Sequence, residues 1–290
     1  MKLTNKYNLP QPILDFFESK NRRHTDAYAS VTGLIHGARE TILTDRHFDD
    51  IVKDVSDMLP SLMGTAVHDV LEQYSSSEII TEKELLITVL GHNITGTADV
   101  IDIGSRTLSD YKNKKVAAMY YDDRIDVTKQ LNAYRYMYPG RIDRLEVCYL
   151  LKDWSEGMKL KKSDYPEAPM LRFNIPLHDY NDVMLWFTER VQALIDCENL
   201  SDDDLPLCSD HERWHRPDKY AVIKRGRKRA SAVLNSKAEA EAYIVDRKLD
   251  DQYKITHRPG EDVKCKRFCD CRHFCSHYRQ LIDNANVEKL

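Results

Sequence analysis

No apolar run in this chain of 290 residues approaches the roughly 20 consecutive residues that a membrane-spanning helix needs. The amino terminus, Met1-Lys2-Leu3-Thr4-Asn5, lacks the apolar stretch of a secretory signal. Gly-x-x-x-x-Gly-Lys-Ser/Thr is also missing, so ATP-driven work would have to come from a separate protein. There is no excess of positive charge: the formal net charge is -4. That excludes a surface coated in cation for non-specific nucleic-acid binding, but it leaves room for a local basic groove. Together these absences predict a cytoplasmic protein without a membrane partner. The composition, 42% hydrophobic and 31% charged, suffices for a full core in one large domain or one with an appendage.

The rest of the chain is organised around one stretch. Two β-branched runs, residues 94–103 and 107–111, flank Gly104-Ser105-Arg106 and predict a β-hairpin. On it Asp99 comes across from Asp110, and the strand period of two turns Asp110 and Lys112 to one face and Tyr111 away. Two carboxylates and an ammonium on one face are costly unless something uses them. A divalent cation is the natural use, because Mg²⁺ takes one or two carboxylates and fills its shell with water and phosphate oxygens. Asp-x-Lys alone marks no more than a solvated hairpin, so the neighbours decide its weight.

Residues 10–75 read as mostly helical, with Ser30 as an N-cap and residues 49–58 as a short helical pattern. In residues 60–74, Leu62, Ala66, Val70 and Tyr74 recur every four positions, which predicts a buried helix face with His68 beside it. Residues 82–103 read as two antiparallel strands turning at Gly91-His92-Asn93. Glu82 and Glu84 on the first of them read as surface residues, with a supporting place near the carboxylates as the alternative. Asp126 is the expected cap of a helix that sets Gln130 and Tyr134 on one face and ends at Pro139-Gly140. Strands at 141–151 and 171–176 and a long amphipathic helix at 178–198 complete an α/β sandwich around a mixed sheet. Cys148 and Cys197 read as buried structural thiols.

His68 in a Gly-x-x-x-His helix, Gly96-x-x-Asp99, Asp110-x-Lys112 and Gln130-x-x-x-Tyr134 follow one another in that order. The set resembles the PD-(D/E)xK nuclease superfamily, in its RecB-like and Cas4-like branch. Ser30-Val31-Thr32 with Arg39-Glu40, and the cysteines near the end, are similar to phage-encoded exonucleases of that branch. The resemblance implies a restriction-endonuclease-like core at 60–200, an N-terminal helical segment at 1–59 and a basic, cysteine-containing insert at 201–290. It implies His68, Asp99, Asp110 and the Tyr111 carbonyl as ligands of Mg²⁺ or Mn²⁺, and Lys112 as the residue that orients the attacking water. Gln130 and Tyr134 would line the site along the DNA strand. DNA ends would be the substrate in phage or mobile-element recombination, repair or replication. A recombinase, annealing protein or helicase, or an oligomer of this chain, would be its company. The alternative is an inactive DNA-binding or scaffold protein.

Beyond Asp202 the sequence turns basic. Residues 220–224 and 229–234 read as strands around Gly226, and the cations of residues 224–229 suit contact with a phosphate backbone. Ser236 caps a helix. Cys265, Cys269, Cys271 and Cys275 fall within eleven residues, which favours a metal centre over disulfides. The resemblance implies a [4Fe–4S] cluster, with Zn²⁺ as the alternative. That branch usually places one cysteine before the core, whereas here none precedes Cys148. Cys208 with Cys265, Cys269 and Cys275 is the preferred ligand set. The compact set with Cys271 is the other.

Overall fold

The structure, a computed structural model, describes residues 1–21 and 27–287, with side chains through Asp283. Residues 22–26 of the expected N-terminal helical stretch and 288–290 of the C-terminal segment lie outside the described residues. The chain forms two compact units, Met1–Leu200 and Ser201–Leu290. No helix among the described residues is long and apolar enough to cross a membrane.

The first unit is α/β. It opens with β1 (Lys2–Thr4), α1 (Gln11–Lys20), β2 (Ala29–Ser30), α2 (Val31–His36), α3 (Ala38–Arg46) and β3 (Val52–Asp54). Then come α4 (Leu59–Glu72), β4 (Ile79–Val89), β5 (His92–Asp102), β6 (Thr107–Lys114), α5 (Ala118–Tyr121) and α6 (Ile125–Met137). β7 (Arg144–Leu151), α7 (Glu156–Lys159), β8 (Met170–Ile175) and α8 (Tyr180–Cys197) close it. The described part of residues 10–75 is mostly helical, as the sequence suggested, with the short strands β2 and β3 interrupting it. The 49–58 stretch contains strand β3, paired in parallel with β1 from Lys2↔Val52 to Thr4↔Asp54.

The central sheet is mixed and flanked by helices. Its path runs β2-β5-β6-β7-β8, with β4 pairing β5 along its other edge. β6–β7 and the short β2–β5 pairing are parallel, and the β4–β5, β5–β6 and β7–β8 pairings are antiparallel. Hydrophobic burial dictates the layering: Ile94, Ala98, Ile101, Leu108, Leu145 and Val147 are sealed within the sheet layer, and Leu131, Phe187 and Val191 cover it from α6 and α8. Buried Asn132 is fully used, donating to the carbonyls of Thr128 and Pro176 at 2.9 Å and accepting from the His178 N–H at 2.7 Å. It ties α6 to the start of α8, as a buried amide must be tied to be tolerated.

Several local readings change. The β4–β5 hairpin turns at Leu90-Gly91, not at Gly91-His92-Asn93, with both residues at positive φ (50° and 83°) as a two-residue turn demands. The N-cap of α6 is Arg124, in the left-handed region at φ 58°, because Asp123 rather than Asp126 accepts the Ile125 N–H at 3.0 Å. Helix α4 contradicts the periodicity outright: none of its residues is buried, Val70 is 55% exposed and, just past the helix, Tyr74 72%. The apolar positions cover most of its circumference, and the His68 side is the one that meets the sheet. Cys197 is buried as expected, while Cys148 is only half-buried.

The second unit holds α9 (Asp210–Arg213), β9 (His215–Arg216), β10 (Lys219–Lys224), β11 (Ala232–Leu234) and α10 (Lys237–Asp246). β12 (Tyr253–Arg258), β13 (Glu261–Asp262), α11 (Val263–Arg267) and α12 (Ser276–Val287) follow. Ser236 caps α10 through the Glu239 N–H at 3.1 Å. The expected hairpin is present, with its second strand reduced to three residues, and β12 joins it to make the sheet β11-β10-β12.

Candidate metal and nuclease site

The site forms where the β5–β6 ladder opens. Pairing runs from Asp102↔Thr107 to Val100↔Ser109 and stops one step short of Asp99 and Asp110. In place of the next rung, the Asp99 carboxylate accepts the Tyr111 N–H at 2.8 Å. On the other edge of β5, Thr81↔Val100 and Lys83↔Ala98 leave Glu82 at the step opposite Asp99. Glu82, Asp99 and Asp110 therefore form a row across three strands. Glu82 sits at φ 47°, a left-handed backbone that a non-glycine residue adopts at a cost and that concentrates at functional positions.

Helix α4 adds His68, whose Nδ1 lies 2.7 Å from Glu82 Oε1 and 3.7 Å from Asp99 Oδ1. Ligand atoms of His68, Glu82 and Asp99 all fall within 4.8 Å of one another. Sequence reasoning favoured the surface for Glu82 and kept a supporting place near the carboxylates as the alternative. The signal that could have found it was its register, since Glu82 lies directly across the hairpin from Asp99. Lys112 Nζ sits 3.0 Å from both carboxylate oxygens of Asp110 and donates to Oδ1. Oδ2 is left buried without a hydrogen bond.

Burial dominates the electrostatics. Asp99 is 7% exposed and Asp110 1%. Desolvation, and then the charge of Asp110, push the Asp99 carboxyl up to about 7. Desolvation also raises Asp110, against the pull of Lys112. For His68, burial works downward, but Asp99, Glu82 and Asp110 outweigh it and hold the imidazole above its ordinary value. Lys112 follows the same pattern: burial lowers it, and Asp110 and Asp99 more than offset that. Buried carboxylates that resist ionisation are what a cation-binding cluster looks like before the cation is counted.

Helix α6 supplies the remaining residues. Gln130 Nε2 donates to the Tyr134 hydroxyl at 2.9 Å, and burial raises the pKa of that phenol. The Tyr134 ring lies against Gly96 of β5 so closely that a Cβ there would come within 2.4 Å of it. Lys112, Gln130, Lys114, Asp122 and Tyr149 line an open cleft of about 200 Å³. In it Lys114 pairs with Asp122 at 2.9 Å, and the Tyr149 hydroxyl donates to Asp122 at 2.9 Å.

All of the residues named from sequence for this site thus converge in the first unit. With that geometry in view, similarities to solved structures can be stated. The chain is similar to the crystal structure of SSO0001, at 16% identity and a TM-score of 0.45, over 62% of this chain and 83% of that one. It is also similar to a phage-related exonuclease from Haemophilus somnus 129PT, at 11% identity and a TM-score of 0.29, over 64% of this chain and 80% of that one. No protein-family model matches the sequence. No curated protein matches it either. At these scores the likenesses decide nothing, and the case for a function rests on the side chains.

The cysteines belong to the second unit apart from Cys148 and Cys197; in that unit, Cys271 and Cys275 are buried and Cys208, Cys265 and Cys269 half-buried. Cys269 and Cys271 Sγ lie 3.4 Å apart. Burial pushes the Cys265 thiol up to about 12, helped by the charges of Asp262, Cys269 and Cys275. The Cys208 carbonyl accepts Arg213 Nε at 2.9 Å. Ligand atoms of Asp262, Cys265 and His277 gather within 4.8 Å, a grouping the cysteine spacing did not reveal. Asp262 is already occupied, however. It accepts from Arg213 at 2.6 Å, His215 at 2.7 Å and His277 at 2.6 Å. Although burial alone would raise its pKa, these donors hold it below the usual carboxylate range.

Proposed function

We propose that the chain is a divalent-metal-dependent deoxyribonuclease with the restriction-endonuclease-like core of the PD-(D/E)xK superfamily, acting as an exonuclease on DNA ends. The observation that carries this reading is the buried pair Asp99 and Asp110 at the opening of β5 and β6, with Lys112 Nζ 3.0 Å from both Asp110 oxygens. Hard oxygen donors with one imidazole fit Mg²⁺ or Mn²⁺. Asp99, Asp110, His68 and the Tyr111 carbonyl would hold the ion, with Glu82 beside His68 as a further candidate ligand. When bound, the ion supplies Lewis-acid stabilisation of phosphate charge and a water of lowered pKa.

The chain's own residues do the rest. Lys112, kept charged by Asp110, would orient the water for in-line attack and hold the charge that develops on the scissile phosphate. Gln130 and Tyr134 would fix the DNA strand at the mouth of the cleft. The setting this chemistry suits is recombination, repair or replication of a phage or mobile element.

The thiols of the second unit would form a separate metal centre. Cys265 is half-buried among other thiols and a carboxylate, a position that a cation relieves. Cys265, Cys269 and Cys275, with Cys208 or Cys271 as the fourth, would hold a [4Fe–4S] cluster or Zn²⁺.

The test is incubation of the purified full chain with end-labelled linear and with circular duplex DNA, in Mg²⁺ or Mn²⁺. The expected result is nucleotide release from linear ends, with the circle intact. DNA that is bound yet never cut under either metal would overturn the reading and leave a binding or scaffold protein.

A further inference from the structure

The turn between β10 and β11 concentrates cation that the metal site does not use. Residues 224–229 read Lys-Arg-Gly-Arg-Lys-Arg, with no acid. Gly226 makes the turn at φ 77° with open space around it. The backbone is closed by the Arg227 N–H on the Lys224 carbonyl at 3.0 Å and the Arg225 N–H on the Gln252 carbonyl at 2.6 Å. The side chains of Arg225, Arg227, Lys228 and Arg229 are exposed, and none pairs with an acid among the described residues.

Other cations of this unit are already engaged: Arg213 with Asp262, Lys237 with Glu241, Arg267 with Glu261, Arg279 with Asp203. Two further cations extend the loop's patch. Lys224 Nζ stands 5.6 Å above the Tyr253 ring, and exposed Lys254 lies across from Ile223 on β12. The nearby acids, Asp250 and Asp251, belong to the turn before β12, where Asp250 accepts the Gln252 N–H at 3.2 Å.

Unpaired cations crowded on one turn repel one another, and a polyanion relieves that repulsion. Arginine outnumbers lysine among the four exposed side chains, and its planar fork matches phosphate oxygens. No apolar side chain between residues 225 and 229 could enter a bilayer, so a lipid surface is the poorer fit. We propose that this loop grips the sugar–phosphate backbone of DNA without regard to base sequence. The choice of DNA among polyanions rests on the nuclease reading.

Binding is measured with the full chain in EDTA, where cleavage cannot intervene. The readout is anisotropy of a labelled duplex between about 50 and 200 mM salt. Each phosphate contact contributes about 0.9 to the slope of log affinity against log salt. Replacing Arg225, Arg227, Lys228 and Arg229 together by Gln should therefore lower the slope by about 3 to 4. Arg225→Lys, Arg227→Lys and Arg229→Lys together should keep it, as should a Lys161→Gln, Lys162→Gln control on the first unit. An unchanged slope in the Gln variant, an equal loss in the control, or tighter binding to anionic phosphatidylserine vesicles than to DNA would each overturn the proposal. Cleavage in Mn²⁺ is scored separately. A loop-dependent salt slope without cutting sinks the nuclease reading alone, and cutting with an unaltered slope sinks this one alone.

Discussion

Glu82 Oε1 lies 2.7 Å from His68 Nδ1, and Glu82 reaches it from the strand step opposite Asp99 with its own backbone at φ 47°. Asp99 Oδ1 approaches the same nitrogen at 3.7 Å, so Glu82 stands on the metal side of the imidazole as a further candidate ligand rather than behind it. Glu82→Ala should weaken Mn²⁺ binding at least about 10-fold in calorimetry, with cleavage restored at saturating metal. Glu82→Gln, which keeps an acceptor oxygen, should lose less. Unchanged metal affinity in Glu82→Ala would remove Glu82 from the ligand set.

Lys112 has a different signature. It touches Asp110 but offers no lone pair to a cation, so Lys112→Ala should leave Mn²⁺ binding within a few-fold while reducing cleavage at least about 100-fold. Asp110→Asn should lose both. Cleavage that survives in Lys112→Ala would remove the lysine from the chemistry.

The central hairpin was legible because strand period, turn residues and the Asp99, Asp110 and Lys112 spacing all pointed to one register. Glu82 was not. A glutamate in a strand of mixed polarity looks like any surface glutamate until the β4–β5 register sets it opposite Asp99. Helix α4 misled in the other direction, since a four-residue apolar repeat says which side is apolar and not whether anything covers it. Strand β12 was missed because alternating Tyr253, Ile255 and His257 form a weak signal without the β10 partner.

The site also sets a pH dependence of stability. An aspartate takes a proton near 3.8 when unfolded, while Asp99 does so at about 7 in the fold. Between those values the folded state holds more protons, so rising pH costs stability, and the loss levels off above about 7. The raised Asp110, His68 and Lys112 act with the same sign. The metal-free protein should therefore show a smaller thermal midpoint deficit against Asp99→Asn at pH 5 than at pH 8. Added Mn²⁺ should raise the wild-type midpoint more at pH 8. A metal-induced shift that is larger at pH 5 would contradict this account.

Cys265 offers a separate handle. If thiols of the second unit hold a metal, Cys265→Ser should remove nearly all of the iron or zinc from anaerobically purified protein. Cys148→Ala, in the first unit, should keep it. Metal analysis with an absorption spectrum distinguishes a coloured cluster from colourless zinc. A full complement of metal in Cys265→Ser would exclude that thiol from the ligand set.

Gly96 and Tyr134 give the sharpest packing prediction. A Cβ on Gly96 would meet Tyr134 Cε1 at 2.4 Å and Cδ1 at 3.0 Å. The ring is 4% exposed and its hydroxyl is held by Gln130, so it has little freedom to swing aside. Gly96→Ala should cost about 1–3 kcal/mol of stability, the usual penalty for overpacking. In a Tyr134→Ala background the same methyl finds space, so its cost should fall to within about 0.5 kcal/mol of zero. That non-additivity, read from urea unfolding of the two single variants and the double, identifies the glycine as the seat of the tyrosine ring. Additive losses would mean that the cost of the Gly96 methyl does not come from the Tyr134 ring.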